Sequence, residues 1–328
     1  MALSSSTQHI DFHVDDSTFL CAGSVIDQER FVHYVAEELD VELGRRIPVY
    51  VFGNVEGYCP ETAAACVTRD GVVFTSPRAA AHELAHAVSC EWRSGSAPAF
   101  SEGLAVSFEL EPSESLRDPR EFVTAGVAAD VDYPGAGHFV RWLIEFHGLA
   151  AFRELFLTSP RGGGGGVLDV LEAVYGQDAE SLFAEYEASA PHLWVPHRQC
   201  ADLELLEPSA GTWQFDATFD CEDPSTLGPW VRDFFSYADS MYQSFLIEID
   251  TPGTYTFERG MDTELWVERC LDETGLSEAE ADSLWRKEPV SPIPGVMDID
   301  LDPGTYRVDV LRKYGPPHQV TLQIRQKP

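Results

Sequence analysis

The sequence predicts an α+β protein in two domains, a mixed domain over residues 1–199 and an all-β sandwich over residues 204–328. Two observations predict this division. Up to about residue 190, short strand-like segments are interspersed with segments whose apolar residues recur at helical spacing, and beyond it short alternating segments with Pro-Gly turns follow one another. At 328 residues the chain is also long enough for each domain to bury its own core.

The first domain is expected to begin with strands around one helix. Alternating apolar residues predict strands at residues 9–14, 47–52 and 71–75. Helical spacing over residues 25–39 predicts the helix. Ser76 and Pro77 then supply an N-cap and a first-turn proline for a second helix, which contains residues 79–88.

More helices are expected in the rest of this domain. They are predicted at residues 137–147, 150–157, 167–175 and 179–190. Gly148 and Gly176 mark the ends of two of them. The glycine run at residues 162–166 predicts a surface loop, and it lacks the Lys and Ser/Thr of a phosphate-binding loop.

The second domain is predicted from repeated strands and turns. Alternating segments occur at residues 211–219, 244–249, 253–258, 264–268, 297–301, 304–311 and 320–325. Residues 250–255 (DTPGTY) and 300–306 (DLDPGTY) repeat one unit of a turn and a strand. Strands at this spacing with Pro-Gly turns favour a β-sandwich.

Acidic residues dominate the composition. The chain has 55 Asp and Glu against 22 Lys and Arg, a formal net charge of −33. Such a surface repels phosphates and anionic membranes, so no nucleic-acid partner is expected. The acidic residues are spread along the chain, which favours a solvated surface over a recognition patch. The sequence contains no run of eighteen apolar residues, so no membrane span is expected.

A His-Glu-x-x-His motif lies in the second predicted helix. His82 and His86 are four residues apart, and an α-helix places such residues one above the other on one face. Both imidazoles can therefore bind one metal ion, and zinc is the metal that this pattern indicates. Glu83 lies beside them, where it can act as the general base that activates water.

A second carboxylate supplies the expected third ligand. Glu102 lies in the first turn of a further helical segment that opens just after Pro98. A catalytic zinc uses three protein ligands, and His, His and Glu are an established set. One Zn²⁺ per chain, bound by His82, His86 and Glu102, is therefore predicted. Ser89 and Trp92 occupy the positions at which metzincins have Gly and His, so that subclass is excluded.

At these residues the chain resembles the gluzincin metallopeptidases, thermolysin-like zinc enzymes whose third ligand is a Glu on the following helix. The Ser-Glu-Gly-Leu-Ala run around Glu102 is similar to compact bacterial members of this family, and so are residues 133–144. The resemblance covers roughly residues 45–160. Val106 departs from the pattern, because thermolysin-like enzymes often have an acidic residue there that supports a zinc ligand. The partner that would orient His82 or His86 is therefore unassigned.

The resemblance implies a zincin-like fold and further site residues. It implies that the backbone of Val72, Val73 and Phe74 binds the substrate, because these residues would lie on an edge strand that pairs with an extended peptide. It also places a helix across the cleft, with Tyr133 just before it and His138 at its start as candidate donors to the oxyanion of the reaction. A turn tyrosine and an ordinary histidine at a helix start are the open alternatives.

The second domain resembles the pre-peptidase C-terminal domain that is appended to secreted bacterial proteases. The resemblance rests on the two Pro-Gly turns and the strand pattern.

Seven cysteines are present, none of them in a Cys-x-x-Cys pair. Disulfides are predicted as Cys59–Cys66, Cys21–Cys90 and Cys221–Cys270. Cys59 and Cys66 flank a short loop that a local bridge would hold in place before the metal-binding helix. Cys200 is left as the odd residue. Reduced, buried thiols in a cytosolic enzyme are the alternative, because disulfides persist only in oxidising compartments.

The predicted activity is zinc-dependent hydrolysis of peptide bonds in a peptide or protein substrate, with Glu83 as general base. Two alternatives stay open: an inactive protease-like scaffold that acts as a surface binding protein, and a zinc hydrolase of a non-peptide or cell-wall amide. Secretion or a cell-surface or periplasmic location is expected. The polar start of the sequence, at residues 4–8, lacks the features of a signal peptide.

Overall fold

The computed structural model describes residues 1, 3–60, 63–92, 95–109, 116–232, 235–237, 239–260, 262–271, 275–284 and 295–327. Helices and several β-sheets are both present, as in an α+β protein. The chain forms two compact units. The first comprises Met1–Thr18, Gln28–His197 and Glu273–Ala281, and the second comprises Phe19–Asp27, Arg198–Asp272 and Asp282–Pro328.

A five-stranded sheet lies in the first unit. Its strands are β1 (Ser5–Ser6), β2 (Ile10–Val14), β3 (Ile47–Val51), β4 (Cys66–Val67) and β5 (Val73–Thr75), arranged in the order β1-β2-β3-β5-β4. The three central strands are parallel, and the two-residue strands at the edges are antiparallel to their neighbours. Phe12, Val49 and Val73 are fully buried on one face, whereas Tyr50 and Phe74, which alternate with them, are partly exposed.

The helices follow the predicted series closely. They are α1 (Ala22–Glu38), α2 (Ala80–Ser89), α3 (Pro98–Ser107), α4 (Tyr133–His147), α5 (Leu149–Thr158), α6 (Gly166–Tyr175) and α7 (Ala179–Ser189). Ser76 precedes a single 3₁₀ turn, Pro77–Ala79, and forms no side-chain cap, so α2 itself begins at Ala80. None of the helices in the described ranges is long and apolar enough to cross a membrane.

Helix α4 begins four residues earlier than predicted. The carboxylate of Asp132 accepts a hydrogen bond from the Gly135 amide, and Pro134 lies in the first turn. Both features are typical helix starts, so residues 133–136 are helical.

Close packing of α3 against α4 depends on two glycines. A Cβ added at Gly103 would lie 2.5 Å from the carbonyl oxygen of Ala136, and one added at Gly137 would lie 2.3 Å from Cγ1 of Val106. Neither position has room for a side chain, so the two helix backbones approach closely. This approach brings the first turn of α4 next to Glu102, the residue that precedes Gly103.

From residue 193 onward most of the elements are strands. They are β6 (Leu193–Trp194), β7 (Thr212–Phe219), β8 (Trp230–Arg232), β9 (Phe235–Tyr237), β10 (Ser240–Ile249), β11 (Gly253–Arg259), β12 (Thr263–Arg269), β13 (Gly275–Leu276), β14 (Val296–Leu301), β15 (Gly304–Lys313) and β16 (His318–Gln326), with the short helix α8 (Glu278–Leu284) after β13. Strands β6 and β13 pair with each other and belong to the first unit.

The second unit contains two antiparallel sheets that share one core. One has the order β10-β15-β12 and the other β14-β11-β16-β7. Ile247, Val308 and Leu265 of the first sheet and Phe257 and Leu322 of the second are buried in a single apolar cluster. The two sheets therefore form a sandwich, and the alternation of apolar residues along each strand is what fills it.

The repeated turns have the same structure in both copies. The hydroxyl of Tyr255 donates a hydrogen bond to the carbonyl oxygen of Thr251 at 2.7 Å, and that of Tyr306 donates to the carbonyl oxygen of Asp302 at 3.0 Å. Each tyrosine thus closes its own turn four residues upstream, before β11 and β15.

One of the three predicted disulfides is present. Cys59 and Cys66 are bonded, as predicted from the short loop that they flank. The other two bonds are Cys21–Cys221 and Cys200–Cys270, and Cys90 is the free thiol. The predicted pairs Cys21–Cys90 and Cys221–Cys270, and the prediction that Cys200 is unpaired, are therefore wrong.

Backbone contacts explain the two corrected pairs. The amide of Ala22 donates to the carbonyl oxygen of Cys221 at 2.8 Å, which sets the Cα atoms of Cys21 and Cys221 4.5 Å apart. The Gln199 side chain bonds the backbone of Arg269 and Leu271, so it aligns the neighbouring residues Cys200 and Cys270. Both pairs depend on chain segments that meet only in the folded unit.

Candidate metal centre

Helix α2 presents its two histidines to one point. The segment Ala80–Ser89 is rich in alanine and has neither Gly nor Pro, which favours a helix, and buried Leu84 and Val88 anchor its opposite face. His82 and His86 lie one turn apart, with their Nε2 atoms 3.1 Å from each other. Glu83 is 6% exposed and lines the same cavity.

Helix α3 brings the third donor to the same point. The Oε2 atom of Glu102 lies 3.2 Å from Nε2 of His82 and 3.1 Å from Nε2 of His86. The three donor atoms therefore form a nearly equilateral triangle. In the described part of the chain, no other set of three His, Cys, Asp or Glu side chains converges in this way.

The triangle fits a zinc ion. A tetrahedral ion with metal–ligand distances of about 2.0–2.2 Å holds its ligand atoms about 3.3–3.6 Å apart, slightly farther than the 3.1–3.2 Å separations found here. Two imidazole nitrogens and one carboxylate oxygen are also the donor types that zinc accepts in sites with an open fourth position. His82, His86 and Glu102 are therefore suited to hold the ion without rearrangement of the helices.

Glu109 supplies the supporting carboxylate that the sequence left unassigned. Its Oε1 atom lies 2.5 Å from Nδ1 of His82, on the side of the ring away from Glu102. A carboxylate in this position fixes the tautomer and the orientation of a ligating imidazole. Glu109 comes two residues after the end of α3, at a spacing of seven from Glu102, and that spacing is the signal that could have identified it. Val106 instead packs against Gly137.

The electrostatics of the cluster favour positive charge. Burial lowers the pKa of His82, but hydrogen bonds to Glu102 and Glu109 outweigh it and raise that pKa to about 10. For Glu102, burial alone would raise the pKa, and its bonds to His82 and His86 reverse the effect and lower it. Burial raises the pKa of Glu83 above its ordinary value. The carboxylates of Glu83, Glu102 and Glu109 thus surround the two imidazoles. Such a setting stabilises positive charge, whether that of a proton or that of a metal cation.

Tyr133 lies at the site. As the first residue of α4 it packs its ring on His82, with the ring centroids 5.8 Å apart, and it borders the cavity. Burial, and after it the nearby carboxylate of Glu102, raises the pKa of the phenol. The hydroxyl therefore stays protonated near neutral pH and remains a hydrogen-bond donor.

His138 lies elsewhere, in the core of the first unit. It is fully buried, its Nδ1 is 2.7 Å from the hydroxyl of Tyr186, and its ring also packs near Trp194. Burial lowers its pKa to about 4. The prediction that His138 faces the cleft is wrong, because five residues turn an α-helix by about 140° beyond a full turn and direct His138 away from the face of Tyr133.

The predicted substrate strand is not an edge. Val73 pairs with Val49 of β3 on one side and with Val67 of β4 on the other, and Phe74 is paired on both sides as well. The prediction of an edge strand at Val72, Val73 and Phe74 is therefore wrong. The edge is β4, a two-residue strand too short to read from the sequence, and the disulfide Cys59–Cys66 ties its first residue to the loop before it.

A cavity extends from the three donor atoms of His82, His86 and Glu102 to the edge strand β4. Its volume is about 360 Å³, and it is bounded by His82, Glu83, His86, Glu102 and Tyr133 on one side and by Cys66 and Val67 of β4 on the other. An extended chain lying along β4 would thus pass beside the three donor atoms.

No protein-family model matches the chain, and no curated protein matches it. Several solved structures are similar to part of it. The periplasmic lysozyme inhibitor PliG of Aeromonas hydrophila has 9% identity and a TM-score of 0.24, over 38% of this chain and 96% of its own. The pre-peptidase C-terminal domain of a Bacillus anthracis collagenase has 8% identity and a TM-score of 0.20, over 38% and 90%. A Cellvibrio mixtus carbohydrate-binding module has 14% identity and a TM-score of 0.18, over 38% and 92%.

Proposed function

We propose that the first unit is a zinc-dependent peptidase of the gluzincin type with a zincin-like fold, in which His82, His86 and Glu102 hold the metal. The observation that carries the proposal is the triangle of three donor atoms with buried Glu83 beside it in one cavity. A zinc ion held by these three side chains would polarise a carbonyl group and lower the pKa of water. The remaining steps are performed by the side chains of the chain itself.

Glu83 acts as the general base and then as the general acid. It takes a proton from the attacking water while the water oxygen bonds to the carbonyl carbon of the scissile peptide, and it passes that proton to the amine nitrogen as the C–N bond breaks. Burial raises the pKa of this carboxyl group, which makes it a better proton acceptor when ionised. No net proton is gained or lost by the enzyme.

Tyr133 and Glu109 support the reaction in two different ways. The hydroxyl of Tyr133 is a protonated donor at the cavity wall, suited to the negative charge that develops on the carbonyl oxygen. Glu109 holds the ring of His82 in place and so keeps the metal ligands aligned. Neither role requires a change in the backbone.

The second unit would then be an accessory sandwich of the pre-peptidase C-terminal kind, and the protein would work outside the cytosol. Three disulfides support this location, because such bonds persist in the periplasm, at the cell surface and in the medium.

Cleavage of an unbiased peptide library by the zinc-loaded chain tests the function. Hydrolysis that a chelator abolishes and added zinc restores is expected, with one zinc per chain by metal analysis. Glu83→Gln should keep the zinc and lose at least about 100-fold in kcat, because the amide cannot take the proton. Glu91→Gln, an exposed carboxylate two residues after α2, is the matched control. A zinc-loaded protein that cleaves no peptide would reject the proposal and favour an inactive scaffold or a hydrolase of another amide.

A further inference from the structure

A tight turn after β4 places Arg69 at the cavity. The Gly71 amide donates to the carbonyl oxygen of Thr68 at 2.9 Å, and the Val72 amide donates to the Thr68 hydroxyl at 3.1 Å. Gly71 has a φ of +70°, a conformation that glycine adopts without strain. Arg69 is thereby held on a defined hairpin, next to the edge strand and on the wall of the cavity that contains His82.

Arg69 is an unusual residue in this position. It is the one Lys or Arg among the side chains that line the cavity in the described ranges. It is exposed, and it forms no hydrogen bond and no ion pair with any residue that the structure describes. In a chain with 55 acidic and 22 basic residues, other arginines are engaged: Arg120, for example, contacts Asp118, Glu180 and Glu187. The guanidinium group of Arg69 is open to an added ligand.

A second arginine adds to the positive charge on this side. A Cβ placed on Gly71 would lie 2.6 Å from Nη2 of Arg45, so the Arg45 guanidinium rests against the same turn. Its charge reaches Cys90, another residue of the cavity wall, where it opposes the rise in pKa that burial and the Glu91 carboxylate cause in the thiol. Arg69 and Arg45 thus place two positive charges at this hairpin, with Asp70 in the same turn and Glu91 near Cys90 as the opposing carboxylates.

The cavity that Arg69 lines has room for a substrate side chain. Ala65, Ser89 and Gly95 line the cavity and contribute little volume. A carboxylate matches a guanidinium because it accepts two parallel N–H donors. Neutral side chains of the same size would gain neither the charge interaction nor the second hydrogen bond.

We infer that Arg69 determines specificity: the subsite beside the β4 hairpin takes an acidic side chain, Asp or Glu, of the peptide substrate. The inference rests on the proposed peptidase function and adds the substrate class. Arg45 adds positive charge near this subsite, and Arg69 contacts the acidic side chain of the substrate directly.

Matched peptides test this inference with and without catalysis. Labelled peptides that differ only by Glu, Gln or Lys at one position are measured for hydrolysis by the zinc-loaded chain and for binding, by fluorescence anisotropy, to the zinc-loaded Glu83→Gln variant. At one position Glu should be preferred by about tenfold in both measurements. Arg69→Gln should reduce the preference to below about twofold, and Arg69→Glu should reverse it in favour of Lys. Arg78→Gln, an exposed arginine that does not line the cavity, should change nothing.

The outcomes separate this inference from the proposed function. Hydrolysis without an acidic preference, or a preference that survives Arg69→Gln, overturns the role of Arg69 and leaves the peptidase standing. Binding that depends on both Glu and Arg69, in a chain that cleaves nothing, supports the subsite and rejects the peptidase. Failure of the zinc-loaded Glu83→Gln variant to bind any peptide in the set overturns both.

Discussion

The Oε1 atom of Glu109 lies 2.5 Å from Nδ1 of His82, while Nε2 of the same imidazole faces Glu102. The ring is therefore fixed from both sides, and its metal-facing nitrogen has one direction in which to point. Neutral imidazole must carry its proton on Nδ1 to leave Nε2 for a metal, and Glu109 accepts a hydrogen bond from that proton.

Loss of the Glu109 carboxylate should weaken zinc binding without removing a ligand. We expect Glu109→Gln to lower the affinity by about 10- to 100-fold, measured by competition with a chromogenic chelator. Glu154→Gln, an exposed carboxylate on α5, serves as the control and should bind zinc like the wild type. Equal affinities for Glu109→Gln and the control would show that His82 is oriented by other contacts.

The hydroxyl of Tyr133 should matter for the rate and little for substrate binding. We expect Tyr133→Phe to lower kcat by about 100- to 1000-fold with a small change in KM, since the lost donor acts on charge that develops in the transition state. Tyr186→Phe is the comparison, because its hydroxyl bonds buried His138 instead. That variant should lose about 1–3 kcal/mol of unfolding free energy and keep its kcat. An unchanged kcat in Tyr133→Phe would remove the residue from the mechanism.

Acid should destabilise the protein through buried histidines. Burial lowers the pKa of His138 to about 4 and that of His197 to about 3, below the ordinary 6.5 of the unfolded chain. Between pH 6.5 and 4 the unfolded state therefore binds more protons than the folded state, and the free energy of unfolding falls as the pH falls. For His138 the loss approaches about 3 kcal/mol at pH 4.

Urea unfolding at pH 7 and pH 4.5 measures this dependence. His138→Gln should reduce it, with His197 still contributing, whereas His33→Gln, whose parent side chain is 67% exposed, should leave it unchanged. The same slope in all three proteins would mean that His138 is protonated in the folded state.

The thiol content should identify Cys90 as the free cysteine. Denatured but unreduced protein is expected to react with a thiol reagent once per chain, and Cys90→Ser should abolish that reaction. Three or more reactive thiols in the wild type would mean that at least one of the disulfides fails to form.

Much of the secondary structure of both units can be predicted from the local sequence. The pairing of His82 with His86 follows from helical geometry alone, because residues four apart lie on one face of a helix that alanine and leucine favour. The seven long strands of the sandwich follow equally from alternation and Pro-Gly turns. Patterns of this kind are set by neighbours a few residues apart, so they are present in the sequence itself.

Other features depend on segments that are distant along the chain. Glu109 reaches His82 only because α3 packs beside α2, and Tyr133 reaches it only because Gly103 and Gly137 let α4 approach α3. The edge position of β4 arises because that strand pairs with the outer side of β5. The partners of Cys21 and Cys200 were likewise decided by backbone contacts far apart in sequence.

The sequence by itself thus determined the elements, the acidic surface and a helix with two histidines on one face. Only the tertiary structure decided which side chains meet them: Glu109 and Tyr133 at the donor triangle, His138 in the core, and Arg69 beside the cleft. The physical reason is that periodicity records which face of an element is buried, whereas the contacts across elements depend on how closely and in what register those faces pack.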